Sequence, residues 1–288
     1  MKVLIITDLE GVSGVVDWDT DAKGSPVNQY HRELMTGELN AAVAAAFDAG
    51  ATRVKVAEGH DAIDFLHLDE RATLVPGRYP ATPVLQGWEE GFEALIMIGH
   101  HSMAGTADGV LAHSYNQTVR LMTLNNQPIG EIGMEAAEAG DFGIPVVMVS
   151  GDAAACREAR ELLGDIETAA VKTGYDTHHA ECLHPGRARA LIREKVTAGL
   201  ERLQDFRPFV VPGPIEVATH AYEPFTDKVY AHYAHKPWVT FPDNKTCVIR
   251  ADNVVEAMAR RCGLDYTWTP PHGDSKRAAK REPKRSSE

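Results

Sequence analysis

Short apolar runs alternate with amphipathic segments over more than half of the sequence, and this alternation constrains the fold more than any other feature. Residues 3–6 are apolar on both faces, as expected for a central strand of a parallel sheet. Apolar residues then recur at helical spacing from about residue 32 to 49. The alternation continues with strands predicted over 53–57, 94–98 and 145–149 and a helix over 153–163. This order predicts an α/β domain with a mainly parallel sheet.

Two further features interrupt or end this alternation. A turn signal, Asn125-Asn126, separates residues 119–124 from 128–132 and predicts a hairpin there. Beyond residue 168, a long amphipathic helix over about 186–203 is followed by prolines and shorter predicted elements. We therefore predict an α/β domain over 1–167, a smaller α+β C-terminal domain over 168–269, and a disordered tail over 270–288.

The charge distribution separates the tail from the rest of the chain. The formal net charge is -12, yet the tail holds six basic and three acidic residues, which leaves -15 on the other 269 residues. Such an acidic body argues against a nucleic-acid partner, because phosphate backbones are bound by clustered Lys and Arg. The role of the basic tail stays open.

Composition and cysteine usage favour a cytoplasmic protein over a membrane or secreted one. No apolar run approaches the roughly 20 residues that span a bilayer, so no membrane association is expected. The N-terminal segment lacks the longer apolar run of a signal peptide. The four cysteines form no C-x-x-C pair and are predicted to be free thiols; they are Cys156, Cys182, Cys247 and Cys262.

Acidic and imidazole side chains follow the predicted strands at the points where those strands end. Asp8 and Glu10 follow the first strand, His60 the second, and His100 and His101 the third. In open α/β sheets, ligands bind in the crevice outside the carboxyl ends of the strands. The predicted hairpin adds Glu131 to this set. Carboxylates and imidazoles suit divalent metals, and this many acids fits two ions about 3.5–4 Å apart better than one tetrahedral zinc.

Each of these residues taken alone has a more ordinary explanation. An Asp after a strand often caps the next helix, and a lone histidine is more often a packed side chain. The metal hypothesis therefore depends on their joint position at consecutive strand ends. Two other chemistries are disfavoured: Ser13 and Ser114 lie outside any G-x-S-x-G elbow, and the spacing of Gly11 and Gly14 is not that of a dinucleotide fingerprint.

Several of these segments resemble a known family. The sequences D-L-E-G-V-S-G, E-G-H, I-G-H-H, A-H-S and I-G-E-I-G begin at residues 8, 58, 98, 112 and 129. In this order and at similar spacing they resemble the D-aminopeptidase family, the M55 metallopeptidases. The resemblance also covers P-V-V-M-V-S-G-D from residue 145 and A-A-V-K from residue 169. It extends from residue 1 to about 260 and excludes the tail.

The resemblance implies a zinc enzyme with a defined set of site residues. Family members bind two zinc ions, although Mn²⁺ or Co²⁺ would also suit these ligands. Asp8 matches the carboxylate that bridges the two ions, and His113 matches a catalytic histidine. The remaining ligands match Glu10, His60, His101 and Glu131. The family fold is a parallel-sheet α/β domain with a smaller domain, and its members form ring-like homo-oligomers.

The sequence departs from the typical family pattern around the expected pocket. This chain has Glu58-Gly59 where Asp-Ser is usual, Ala112 where Ser is usual, and Glu135 where Asn is usual. The segment between His101 and His113 is one residue longer. These changes leave the metal ligands intact and alter their surroundings, so substrate preference is open. Either Glu58 or Glu135 could receive the free amine of a substrate.

We therefore expect an aminopeptidase or amidohydrolase that releases N-terminal residues, of D configuration, from short peptides or amino-acid amides. Zinc lowers the pKa of a bound water to about 7, and His113 could stabilise the intermediate or protonate the leaving amine. One alternative is a dizinc hydrolase of a different linear or cyclic amide. A second is a metal- or ligand-binding protein without turnover, which would have no need of His113.

Overall fold

The computed structural model describes residues 1–18, 25–76 and 86–269. The tail predicted to be disordered over 270–288 lies outside these residues. Twelve strands and six α-helices are formed within them. The strands are β1 (Lys2–Thr7), β2 (Arg53–Glu58), β3 (Thr73–Val75), β4 (Ala94–His100), β5 (Val119–Leu124), β6 (Gln127–Pro128), β7 (Val146–Asp152), β8 (Glu167–Gly174), β9 (Ala180–Cys182), β10 (Ile215–Ala221), β11 (Val239–Asp243) and β12 (Thr246–Ala251). The helices are α1 (Pro26–Asp48), α2 (Glu131–Asp141), α3 (Ala153–Leu163), α4 (Pro185–Glu201), α5 (Asp227–His232) and α6 (Val254–Arg261).

The first sheet has seven strands in the order β3-β2-β1-β4-β7-β8-β9. All neighbours in it pair in parallel except β8 and β9, which confirms the predicted α/β class. Its central strands are buried along their length, as expected of a sheet covered on both faces. Helices α1 and α4 pack against each other, and α3 packs against β7 and β8. The main hydrophobic core lies between this sheet and these helices.

The second sheet is antiparallel and has five strands in the order β11-β12-β10-β5-β6. Helix α6 packs against β12 and β10 and also contacts α2. Their apolar side chains form a separate core that includes Met122, Ile215 and Val254. Within the described ranges, no helix is both long enough and apolar enough to cross a membrane.

The division into sheets does not follow the boundary predicted between residues 167 and 168. Strand β8 begins at that boundary and belongs to the first sheet, as does β9. Strands β5 and β6 precede it and belong to the second sheet. Sequence order did not reveal this, because β10 pairs with β5 across about ninety residues of chain. The α+β unit is therefore built from two separate stretches of sequence.

The predicted hairpin is shorter than the sequence pattern indicated. Its second strand, expected over 128–132, ends at Pro128. Gly130 then adopts an extended conformation as the N-cap of α2, and Glu131 is the first residue of that helix. An acidic side chain in the first helical turn is stabilised by the helix dipole, which explains why the helix begins there. Glu131 is therefore carried by a helix rather than by a strand.

Candidate metal centre

Six side chains meet at the carboxyl-terminal edge of the first sheet. Strands β1, β2 and β4 are parallel neighbours, so the residues that follow them lie side by side. Asp8 and Glu10 follow β1, His60 follows β2, and His101 follows β4. His113 lies in the loop between β4 and β5, and Glu131 begins α2.

Asp8, Glu10 and His60 form the first of two groups whose ligand atoms could hold a metal ion. One ligand atom from each residue lies within 4.8 Å of those of the other two. Glu10 Oε1 is 2.9 Å from His60 Nε2. Asp8 Oδ2 and Glu10 Oε2 are buried, and neither has a hydrogen-bond partner among the described residues. Buried carboxylate oxygens without donors are costly unless a cation is present.

His101, His113 and Glu131 form the second group, which adjoins the first through Asp8. His101 Nε2 is 3.2 Å from Asp8 Oδ2 and 3.1 Å from Glu131 Oε1. His113 Nε2 is 3.7 Å from the same Glu131 oxygen. The two imidazole rings are stacked with their centroids 4.0 Å apart. Asp8 thus lies between the two groups.

Main-chain carbonyls determine which nitrogen of each imidazole faces the cluster. Nδ1 of His101 is 2.9 Å from the Ser102 carbonyl, and Nδ1 of His113 is 2.9 Å from the Leu111 carbonyl. A carbonyl only accepts, so both Nδ1 atoms must carry the proton. In the neutral rings, both Nε2 atoms then present lone pairs to the carboxylates. This is the arrangement of histidines that ligate metals, whose other nitrogen donates to a carbonyl or carboxylate.

The carboxylates of the cluster favour a positive charge beside them. Burial alone would lower the pKa of His101, but the carboxylates of Glu131 and Asp8 outweigh burial and raise that pKa well above its usual range. Burial would raise the pKa of Asp8, yet His101 outweighs it and holds that pKa well below its usual range. The carboxylates therefore require a cation beside them, either a proton on Nε2 or a metal ion. Two divalent ions would meet this requirement and would also fill the coordination of the unpaired oxygens.

The loop that carries His113 contains two residues in the left-handed region of backbone conformation. Leu111 has φ of 53° and Tyr115 has φ of 62°. Both are uncommon for side chains of this size, and such strain is concentrated at functional sites. Leu111 supplies the carbonyl that orients His113. The Tyr115 N–H donates to Glu131 Oε1 at 2.6 Å. Each strained residue therefore orients one member of the cluster.

The two carboxylates predicted to receive a substrate amine have different surroundings. Glu58 is buried, and its Oε1 accepts a hydrogen bond from the Ile63 N–H at 2.8 Å, which ties it to the loop after β2. Glu135 is 23% exposed, and its Oε2 is 2.6 Å from His100 Nε2. His100 is buried and belongs to neither group of ligand atoms. Glu135 is therefore the more accessible of the two.

Two buried charged residues beside the centre were not predicted from the sequence. Lys172 on β8 donates hydrogen bonds to main-chain carbonyls of the loop that contains Glu10. Glu158 on α3 accepts from the Met103 N–H at 2.7 Å, and burial raises its pKa to about 7. For Lys172, the one available signal in the sequence was its position at the end of the apolar run A-A-V-K. Nothing in the sequence around Glu158 distinguishes it from a solvated helical residue.

Comparison with known proteins agrees with this geometry. The M55 peptidase family, described as D-aminopeptidase, matches residues 1–261. A D-aminopeptidase of Bacillus subtilis (strain 168) is 32% identical over 241 residues, which are 83% of this chain and 84% of that protein.

A solved structure gives the same result at the level of the fold. The zinc-dependent D-aminopeptidase DppA from Bacillus subtilis, described as a self-compartmentalizing protease, superposes with a TM-score of 0.82. The match has 28% sequence identity and covers 93% of this chain and 100% of that one. The sequence motifs, the fold and the family match agree: this chain belongs to the M55 metallopeptidases, the D-aminopeptidase family.

Proposed function

We propose that the chain is a dizinc aminopeptidase that releases an N-terminal residue of D configuration from short peptides or amino-acid amides. The observation that carries this proposal is the convergence of six ligand-type side chains in two adjoining groups, with buried carboxylate oxygens and imidazole lone pairs directed at one another. The names of the relatives support zinc and peptide hydrolysis.

The ligands divide between two ions in this proposal. Asp8, Glu10 and His60 would hold one ion, while His101 and Glu131 would hold the other, with Asp8 lying between them. Zinc supplies a nucleophile at neutral pH by lowering the pKa of a bound water to about 7, and it polarises the scissile carbonyl. The residues of the chain must then orient the substrate and move protons.

His113 is suited to the proton transfer. Its Nδ1 proton is held by the Leu111 carbonyl, so Nε2 is the nitrogen that can accept or donate a proton on the side facing Glu131. The ring of Trp18 lies edge-on against His113 with centroids 5.1 Å apart, and His101 stacks on it, so its orientation is restricted. We assign His113 Nε2 the role of accepting the proton that the attacking water releases and of passing it to the leaving amine.

Glu135 is our candidate for the carboxylate that receives the α-ammonium group of the substrate. It lies one helical turn beyond Glu131 on α2 and remains partly exposed. An amine bound there would lie beside the ligand cluster, which would restrict cleavage to the first peptide bond. His100 would hold the Glu135 carboxylate in place.

The experiment that tests this function combines metal analysis with a substrate panel, which contains paired D-Ala and L-Ala peptides and amides together with other linear and cyclic amides. We expect wild-type protein to carry two zinc ions and to cleave the D-series faster. Asp8→Ala should lose zinc and activity together, and full retention of both would refute the proposal. Turnover confined to other linear or cyclic amides would identify the different-amide alternative. Metal binding without turnover on any member would identify a binding protein.

Two further properties remain proposals. The solved relative is described as self-compartmentalizing, which supports a homo-oligomer for this chain as well. A cytoplasmic location is proposed from the sequence, and the four cysteines, all free thiols in the structure, are compatible with a reducing compartment.

A further inference from the structure

A buried lysine on β8 occupies the interior of the loop that carries two of the metal ligands. Lys172 is 2% exposed, and its ammonium group donates to the main-chain carbonyls of Glu10, Val12 and Val15, the second at 3.0 Å. An ammonium group has three N–H donors, so all three are used. All three acceptors belong to one loop that is about 160 residues away in sequence.

This loop depends on such contacts because it belongs to neither sheet. Residues 8–15 leave β1 and form no regular ladder, so their N–H and carbonyl groups need other partners. Gly11 N–H donates to the Gly99 carbonyl at 2.7 Å, and Ser13 N–H donates to Glu38 Oε1 at 3.0 Å. Acceptors on β4 and α1 therefore bind N–H groups of the loop, and Lys172 donates hydrogen bonds to its carbonyls.

The contacts of Lys172 explain why a lysine is buried here. Hydrogen bonds from an ammonium group to carbonyls are charge-assisted and stronger than neutral ones. The Val12 carbonyl also accepts from the Val15 N–H, at 3.2 Å. A side chain without donors at position 172 would therefore take from the Glu10 and Val15 carbonyls the donor that Lys172 supplies.

From these contacts we propose that Lys172 is a positioning residue for the metal ligand Glu10. By fixing the Glu10 carbonyl, it holds the backbone from which the Glu10 carboxylate meets His60. The hydrogen bonds of Lys172 link it to the Asp8, Glu10 and His60 group, whereas the carbonyls that orient His101 and His113 belong to Ser102 and Leu111. Loss of Lys172 should therefore weaken one half of the centre selectively. This inference rests on the proposed two-metal function.

The test compares Lys172→Met with Lys55→Met. Lys55 is also buried, lies in the same sheet and pairs with the side chain of Glu90 rather than with the ligand loop. Both substitutions should lower the free energy of unfolding. Only Lys172→Met should weaken binding of one of two zinc ions, by about 10–100-fold, as for other groups that orient metal ligands. Zinc titration against a competing chelator measures this.

Hydrogen exchange in the metal-free proteins gives a readout that needs no metal. Lys172→Met should speed exchange of the amides of residues 11–15, and Lys55→Met should leave them unchanged. If Lys172→Met does not fold, Lys172→Gln, which keeps two of the three N–H donors, takes its place, and we expect smaller losses in the same direction in both measurements. Zinc affinities and loop exchange equal to those of Lys55→Met would overturn the proposal.

The two proposals fail in different ways. If wild-type protein binds fewer than two zinc ions, the dizinc function is wrong, and exchange in the metal-free loop still decides the role of Lys172 in holding that loop. If wild-type protein binds two ions and Lys172→Met binds both as tightly, the dizinc function stands and the positioning role is wrong.

Discussion

At the scale of single residues, the candidate centre depends on where two imidazole protons lie. The carbonyls of Ser102 and Leu111 hold the Nδ1 protons of His101 and His113, which directs both Nε2 lone pairs toward Glu131. Every residue type has a main-chain carbonyl, so a sequence motif could not have identified these two acceptors. Residue types therefore identify the members of the cluster, and the backbone conformation determines how their side chains are oriented.

His113→Ala separates catalysis from metal binding. Because His113 is assigned a proton transfer and not a ligand role, we expect kcat to fall by about 10²–10⁴-fold while the zinc content stays that of the wild type. His178→Ala is the control, since His178 also faces the Trp18 ring, at 6.3 Å, yet lies outside both groups of ligand atoms. Wild-type turnover by His113→Ala would contradict the assignment, and loss of zinc would make His113 a ligand instead.

Gly11 is the residue at which the ligand loop passes closest to β4. A Cβ at this position would lie 2.0 Å from the His100 carbonyl oxygen, which is backbone and cannot move aside easily. Gly11→Ala should therefore destabilise the protein by about 1–3 kcal/mol or more and weaken zinc binding.

The matched control for Gly11→Ala is Gly186→Ala in the first turn of α4. There a Cβ would meet only the His184 ring, at 3.4 Å. Alanine is the better helix former, so this change should be neutral or stabilising by up to about 1 kcal/mol. Thermal unfolding followed by calorimetry measures both variants, and equal melting temperatures for the two would contradict the steric argument.

The residues of the centre were predictable from sequence to the extent that sheet geometry brings them together. Asp8, Glu10, His60 and His101 follow strands that had to be parallel neighbours, so their convergence could be anticipated. Lys172 and Glu158 could not be assigned in this way. Their roles arise from contacts with loops far away in sequence, and a charged residue in isolation carries no sign of such a partner.

At the scale of secondary-structure elements, α2 links the metal centre to the second sheet. Glu131 begins this helix, and Asp141 ends it. Asp141 Oδ2 accepts from the N–H groups of Val254 and Val255 at 2.9 and 3.0 Å, so it binds the first turn of α6. One helix thus carries a candidate metal ligand at its start and binds a helix of the other sheet at its end.

This contact predicts a pH dependence of stability. Burial is the main cause that raises the pKa of Asp141 from 3.8 to about 6. Between about pH 4 and 6 the folded state then binds more protons than the unfolded state, so this contribution to stability is present below pH 4 and lost as the pH rises through 6. The loss is at most about 3 kcal/mol.

Asp141→Asn keeps the acceptor oxygen and removes the titration. Relative to wild type, the variant should therefore gain stability between pH 4 and pH 7. Chemical denaturation of both proteins, each with metal removed so that the ligand cluster contributes no difference in metal binding, gives the two curves. Curves that run parallel over this range would show that Asp141 does not titrate as proposed.

Elements with a strong local pattern were predicted at about the right place. The helix expected over 153–163 has those bounds in the structure, and the strands expected from 53 and 94 begin there, whereas α1 begins at Pro26 rather than near 32. A strand also depends on a partner, which periodicity does not identify. Strand β8 went unrecognised for this reason, and the hairpin prediction assigned Glu131 to a strand although Glu131 begins a helix.

At the scale of the whole molecule, the two sheets are interleaved along the chain. After β4 the chain leaves the first sheet and forms β5 and β6 of the second sheet. Helix α2 then leads back to β7 in the first sheet. The long loop before β5 places His113 at the metal centre, and α2 places Glu131 there. The segment between β4 and β7, which forms β5, β6 and α2, therefore contributes two members of the candidate centre. For this reason the site cannot be assigned to one continuous domain.

The solved relative is described as a self-compartmentalizing protease, which supports the homo-oligomer proposed for this chain. We expect a homo-oligomer in solution, so light scattering should give a mass several times the 31.4 kDa of one chain. Dilution over two orders of magnitude should leave this mass unchanged if the assembly is obligate. A monomeric mass at all concentrations would remove the oligomer from the account without affecting the metal centre.

The central claim is that two zinc ions bind at the carboxyl-terminal edge of the first sheet. Anomalous diffraction at the zinc absorption edge, from crystals of the zinc-loaded protein, tests it most directly. We predict two peaks on either side of Asp8, one among Glu10 and His60 and the other among His101 and Glu131. A single peak, or zinc bound away from these side chains, would contradict the account.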